Sequence, residues 1–197
     1  NTSPKLPFKE MPTFTPRTDR ELKKAVDEWC QNRAQALSRY GPIGGWNVGN
    51  VTSMYMLFYD KRTFNEDISG WDVSKVNNMG RMFYDASSFN QDISGWDVSK
   101  VNNMAYMFYT ASSFNQDISG WDVSKVTSRG HMFDGASAYR GISADALFDP
   151  TRLAAVKQIH RATISSAPNS IPDITAAITA VLPALGERDQ GIKAGRE

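Results

Sequence analysis

From Phe64 onward the chain repeats itself every 25 residues. Phe64 to Ser88 reads FNEDISGWDVSKVNNMGRMFYDASS, and Phe89 to Ser113 reads FNQDISGWDVSKVNNMAYMFYTASS, differing at four positions. Phe114 to Ala138 is a third copy, FNQDISGWDVSKVTSRGHMFDGASA. A degenerate copy from Arg39 to Thr63 keeps Ile43, Trp46, Val48, Val51, Met54 and Phe58. After the third copy only Tyr139 and Ile142 persist, so four full blocks are followed by a decaying fifth. Periodicity of this length is the mark of a stacked repeat architecture, because one block cannot bury its apolar face alone.

Each block carries two apolar clusters. Ile68, Trp71 and Val73 form the first, with the alternation expected of a strand. Met79, Met82 and Phe83 form the second, at the spacing of one helical face. The spacing predicts a strand, a turn and a short helix or 3₁₀ segment per block. Stacked in parallel at roughly 4.8 Å, four blocks would make a body about 20 Å tall. The fold class expected is a short α/β solenoid. Trp46, Trp71, Trp96 and Trp121 would lie in one internal column, and Phe58, Phe83, Phe108 and Phe133 in another.

The pattern FNxDISxWDVSxVxNMxxMFxxA resembles the 25-residue repeat of the BspA-like leucine-rich-repeat surface proteins, also known from mycoplasma surface proteins. The likeness covers about residues 20 to 142. The preceding segment WCQNRAQALSRYG, Trp29 to Gly41, looks like the entry helix of algal and protist members. The resemblance implies a right-handed, leucine-rich-repeat-like solenoid with adhesion or protein-binding roles. Arg129 departs from the repeat methionine of Met54, Met79 and Met104, so the last block is expected to open toward solvent or toward the C-terminal segment.

The flanks are not repetitive. Residues 1–17 hold four prolines and read as an extended arm. Thr18 and Glu21 form a capping box opening a capping helix over residues 18–38, with Leu22, Val26, Trp29, Leu37 and Tyr40 at helical spacing. The repeat region is assigned to 39–142 and a helical extension and tail to 143–197. Asp149-Pro150 reads as the start of one helix and Pro172 of another, with Ile174, Ile178, Val181 and Leu182 on one face. Two helices exceed what capping one small stack requires. The terminal arms are therefore expected to dock the chain into a larger assembly.

The chemistry-bearing residues are few. The columns Asn65, Asn90, Asn115 and Asp67, Asp92, Asp117 could in principle hold calcium, but they lack adjacent glycine, and turn chemistry is the favoured reading. Asp72, Asp97 and Asp122, with Lys75, Lys100 and Lys125, read as an interleaved, solvated face. The blocks differ chiefly just after the repeat methionine. There Tyr59, Tyr84 and Tyr109 would form a ridge flanked by Tyr55, Arg81 and Tyr106. Tyrosine and arginine are common interface anchors, although the same tyrosines could simply pack along an edge of the stack. His131 and His160 lie in different segments and no nucleophile, phosphate-loop or zinc motif is present. Cys30 reads as a small buried hydrophobe.

These features point away from catalysis, and neither a cofactor nor a metal is expected. The net charge of +1 provides no field to recruit nucleic acid. The longest apolar run, Ile174 to Leu185, is broken by Pro183, so no membrane span is expected. A first residue of Asn rather than Met carries the expectation of a removed targeting peptide, placing the protein at a cell surface or in an organelle such as a chloroplast. Two functions follow. One is a non-catalytic scaffold subunit, as in an organellar membrane complex such as a photosystem. The other is a secreted or cell-surface recognition module of the type the resemblance implies.

Overall fold

The computed structural model describes residues 13–141 and 143–149. Two compact units divide after Gly141. The first begins with two helices and continues into the repeats. Helix α1 spans Asp19–Gln31. Thr18 caps it, its Oγ1 accepting the Glu21 N–H at 3.1 Å. The Glu21 carboxylate turns back but takes the N–H of Arg17 at 2.8 Å, completing a variant of the capping box. Leu22, Ala25, Val26 and Trp29 are its buried face. The single helix expected over 18–38 is in fact two. Asn32 ends α1, and its side chain accepts the Gln35 N–H at 3.1 Å to open α2, Arg33–Tyr40. Of the expected N-terminal arm, residues 13–17 are described. Phe14 packs on Tyr40 and Trp46, with ring centroids 4.7 and 5.1 Å apart, and its carbonyl accepts the Asn47 N–H.

The blocks stack in a 25-residue register, but not as an α/β solenoid of leucine-rich-repeat type. Among the described residues there is no strand, and no helix lies between residues 64 and 138. Contact between neighbouring backbones includes single parallel bridges, Ser53 to Asn78, Asn78 to Asn103 and Asn103 to Ser128. The expected strand at Trp71 and Val73 is a pair of turns. Asp67 accepts the Ser69 N–H at 2.9 Å, and Asp72 accepts the Ser74 N–H at 3.0 Å. Trp71 N–H and Val76 N–H bond back three residues to Ile68 and Val73. Short Asp side chains offer the backbone this alternative to a strand ladder.

The expected helix at Met79 to Phe83 is also overturned. Alternate N–H groups leave the block: Met79, Arg81, Phe83 and Asp85 donate to the carbonyls of Asn103, Ala105, Met107 and Tyr109 at 2.9 Å. The N–H groups between them close turns of three residues, Met82 to Met79 and Tyr84 to Arg81. A helix would require these donors to bond four residues back within the block. Left-handed residues at four-residue intervals maintain the alternation: Arg81 at φ 54° and Asp85 at 55°, Tyr106 at 57° and Thr110 at 53°. The period of four that resembles a helical face in sequence is therefore a period of successive turns.

The core is made of columns. Trp46, Trp71, Trp96 and Trp121 are all buried. Phe58, Phe83, Phe108 and Phe133 stack within 4° of parallel at 5.3, 5.6 and 5.7 Å. A second ring column, Phe64, Phe89, Phe114 and Tyr139, interleaves with the first, with contacts such as Phe83 to Phe89 at 3.9 Å. Tyr139 thus holds the phenylalanine position of the decaying fifth block, and burial pushes its phenol pKa up. No polar or charged residue among those described is buried, so each buried indole N–H must find a backbone acceptor. Trp71, Trp96 and Trp121 donate to Ile43, Ile68 and Ile93 of the preceding block at 2.9, 3.3 and 3.1 Å.

Helix α1 ends the stack by imitation. The N–H of Asn102 bonds the carbonyl of Asn77, and that of Asn77 bonds Thr52. For Thr52 there is no earlier block, and the Asp19 carboxylate takes its N–H at 2.9 Å. The carbonyl of Leu57 likewise accepts from Lys23 Nζ at 3.2 Å. Trp46, the first of its column, donates to Gly41. Lys61 to Asp27 at 2.7 Å and Arg33 to Glu66 at 2.9 Å tie the helices to the first two blocks. Gly44 permits close approach of those blocks, since a Cβ there would lie 2.6 Å from the Asp67 carbonyl oxygen.

In the second unit the described part is a short helix α3, Ala144–Leu147, with Leu147 buried. The helices expected from Asp149-Pro150 and Pro172, and the tail, lie outside the described residues. No helix of the described residues is long and apolar enough to cross a membrane.

Replacing Trp96 with Phe removes the indole donor to the Ile68 carbonyl, which keeps only the Trp71 N–H, and opens a void. Urea unfolding is expected to show a loss of about 2–4 kcal/mol. Gly44→Ala is expected to destabilise by about 1–3 kcal/mol, because the obstructing atom is backbone and cannot rotate away.

Candidate functional site

The left-handed residues determine which side chains leave the core. Met56, Arg81, Tyr106 and His131 occupy the same block position, all at φ between 54° and 58°. Three residues on, Tyr59, Tyr84, Tyr109 and Asp134 form a parallel row. Between the rows lie the buried residues Leu57, Met82, Met107 and Met132, each followed by a column phenylalanine. The stack thus alternates inward and outward residues here without a strand.

Tyr59, Tyr84 and Tyr109 are half-buried and stack face to face at 4.8 and 4.7 Å, tilted by 18° and 17°. The ridge expected from the sequence is therefore a continuous stack of phenols. Its second row is also continuous. Arg81 donates to the Tyr55 hydroxyl at 3.4 Å and lies over the Tyr106 ring at 5.1 Å. Tyr106 stacks on His131 at 4.8 Å. Tyr106 bridges the rows, 5.7 Å from Tyr109 and 6.5 Å from Tyr84. His131 Nδ1 meets Asp134 at 2.7 Å and joins the rows at their far end. Tyr55, at 44% exposure, is the one large apolar side chain classed as exposed among the described residues.

All six tyrosine and arginine positions expected at the site, Tyr55, Tyr59, Arg81, Tyr84, Tyr106 and Tyr109, fall on this one face. Ile174, Ile178, Val181 and Leu182 lie outside the described residues. His131 and Asp134 also lie on this face, though neither was among the residues expected at the site. Their block positions were the available signal, since they align with Arg81 and Tyr84.

Because Tyr84 stacks between Tyr59 and Tyr109, its faces are occupied and its edge and hydroxyl remain for a partner. Desolvation between its neighbours pushes the Tyr84 phenol pKa up, keeping it a neutral donor. Acids flank the face. Asp60 pairs with Arg62 at 2.7 Å, and Asp85 accepts from the Thr110 hydroxyl. The face is amphipathic and of mixed charge.

The other columns are structural. Asn65 accepts the Asn90 N–H, Asn90 that of Asn115 and Asn115 that of Arg140, each at 2.8 Å, linking successive blocks. Asp92 and Asp117 repeat the turn made by Asp67, accepting from Ser94 and Ser119 at 2.9 Å. Their oxygens serve turns, and no cluster of three or more metal-ligating side chains occurs among the described residues. Lys75 reaches Asn50 at 3.3 Å, while Lys100 and Lys125 both act on Asp97 through the field. Arg129 is exposed. Cys30 is exposed as well, against the expected buried role, yet desolvation of its thiol pushes the pKa up and favours the protonated form.

A family model described as Mycoplasma protein of unknown function, DUF285, matches residues 22–144. The chain belongs to this family. The match begins within α1 and takes in α2 and every repeat block. No match was found among curated proteins or among solved structures.

The turn aspartates make stability depend on pH. Hydrogen bonds from the serine two residues on hold Asp67, Asp72, Asp92, Asp97 and Asp122 below the usual carboxylate range. A lowered folded pKa stabilises above the unfolded value, about 3.9, and that contribution is lost as pH falls through the folded value. The melting temperature is expected to stay level from about pH 7 to 5 and to fall below about pH 4. The triple variant Asp72→Asn, Asp97→Asn, Asp122→Asn should flatten this acid limb, since Asn keeps the turn without the titration.

Proposed function

We propose that the chain is a non-catalytic protein-recognition module whose binding face is the two-row tyrosine surface. The observation that carries this reading is the unbroken contact path Tyr55–Arg81–Tyr106–His131 beside the stacked Tyr59, Tyr84 and Tyr109. Tyrosine and arginine held by their neighbours lose little conformational entropy on binding, and they dominate interface energetics. Membership of a mycoplasma-type family is compatible with a surface recognition role and carries no more specific assignment.

The chemistry of the face selects among partners. Sugar rings bind aromatic faces, and here both faces of the central Tyr84 are taken by the stack. A polyanion requires an uncompensated basic surface, and here Asp60 and Asp85 pair with Arg62 and Asp134 meets His131. A folded protein surface offering carbonyl or carboxylate acceptors to the phenols, with aliphatic side chains against the ring edges, fits both constraints.

The test is isolation of the native protein with whatever copurifies in stoichiometric amount, followed by reconstitution with recombinant chain. Tyr84→Ser with Arg81→Ala should weaken association by about 2 kcal/mol or more, read by calorimetry. Retained affinity in that variant, or association surviving only through the terminal arms, would sink the proposal.

A further inference from the structure

The two ends of the stack are finished differently, and the difference specifies a second interaction site. At the first block, α1 supplies side chains in place of missing backbone, Asp19 for a carbonyl and Lys23 for an N–H. At the last block no described side chain makes such a substitution for the three N–H groups of His131, Phe133 and Gly135. In each earlier block the N–H groups aligned with His131, Phe133 and Gly135 donate to the next block. Tyr106, Phe108 and Thr110, for example, donate to Gly130, Met132 and Asp134 at 2.9, 2.9 and 2.7 Å. The N–H groups of His131, Phe133 and Gly135 themselves have no acceptor among the described residues.

The surroundings are unfilled in the same way. Phe58, Phe83 and Phe108 are fully buried, while Phe133 is half-exposed. Val73 and Val98 are buried, while Val123 is half-exposed. A Cβ on Gly80 would meet the Asn103 side chain of the next block at 2.9 Å, whereas one on Gly130 would meet nothing within 4 Å. Among the described residues the end therefore presents a row of alternate donors beside a half-exposed ring, the shape that receives a block everywhere else in the stack.

We propose that this edge takes up a further 25-residue repeat block from another polypeptide. The hydrogen-bond polarity narrows the occupant. A second copy of this chain cannot add by its first block, whose backbone groups at Thr52 and Leu57 are occupied by Asp19 and Lys23. Nor can it add by its last block, which would set donor row against donor row. The partner must present alternate carbonyls in the block register, as Ala105, Met107 and Tyr109 do. A repeat-bearing chain without a helical cap over its first block meets that requirement. Main-chain donors provide the affinity in this mode and the ring column fixes the register.

The probe is a 50-residue polypeptide with the sequence of residues 64–113, added to the full 197-residue chain. Amide exchange of His131, Phe133 and Gly135 is followed by NMR. These amides are expected to exchange freely in the chain alone and to slow by about tenfold or more, saturably, with probe. A scrambled probe should leave them unchanged. Phe133→Asp, which sets a carboxylate against the incoming carbonyls, should abolish the effect. The Trp121 indole resonance, reporting its bond to Ile93, should stay in place in that variant and show that the last block remains folded. Unchanged exchange up to about 1 mM probe overturns the proposal. So does protection that persists in Phe133→Asp or with the scrambled probe, or protection that falls on the tyrosine face instead.

Discussion

A buried indole N–H needs an acceptor, and the arrangement of this protein follows from where that acceptor lies. Each tryptophan from Trp71 onward donates to an isoleucine carbonyl 28 residues earlier. The bond cannot form within one block, so every block requires its predecessor in register. A slip of one residue would leave the indole N–H unpaired in a dry core. The phenylalanine columns then follow, because blocks in register place like rings over like rings at 5.3 to 5.7 Å.

The outer face is a consequence of the same register. With Phe83 and Met82 committed to the core, the left-handed turn residues before and after them direct Arg81 and Tyr84 outward. Stacking at the block spacing then joins the tyrosines into a ridge without any residue being devoted to holding it. The core demands uniformity, and the outward positions do not. They are accordingly where Arg81, Tyr106 and His131 replace one another from block to block. These outward positions can therefore be altered residue by residue at little consequence to the fold.

The ends obey the same accounting of backbone groups. Asp19, Lys23 and the Gly41 carbonyl take the roles of a missing block at one end. The row at His131, Phe133 and Gly135 has no such stand-in among the described residues. Among the described residues the asymmetry gives the stack a direction, with side chains standing in for a block at its start and a row of donors at its finish.

The sequence alone determined the block boundaries, the columns of Trp46 and Phe58, the Thr18 cap and the six tyrosine and arginine positions of the outer face. These follow from identity at fixed spacing, which transmits directly into position once blocks stack. It misjudged the local conformation, for a physical reason. Spacings of two and of three and four are shared by strands, helices and runs of turns, and what separates them is where each N–H finds its acceptor. Asp67 and Asp72 could have signalled turns, but the partners of Arg81 N–H and Phe83 N–H lie in the next block and are decided by tertiary contact alone. The backbone mimicry of Asp19 and Lys23, the break at Asn32 and the union of Tyr106 with His131 are likewise long-range facts. Each joins residues whose pairing depends on the stack already being formed.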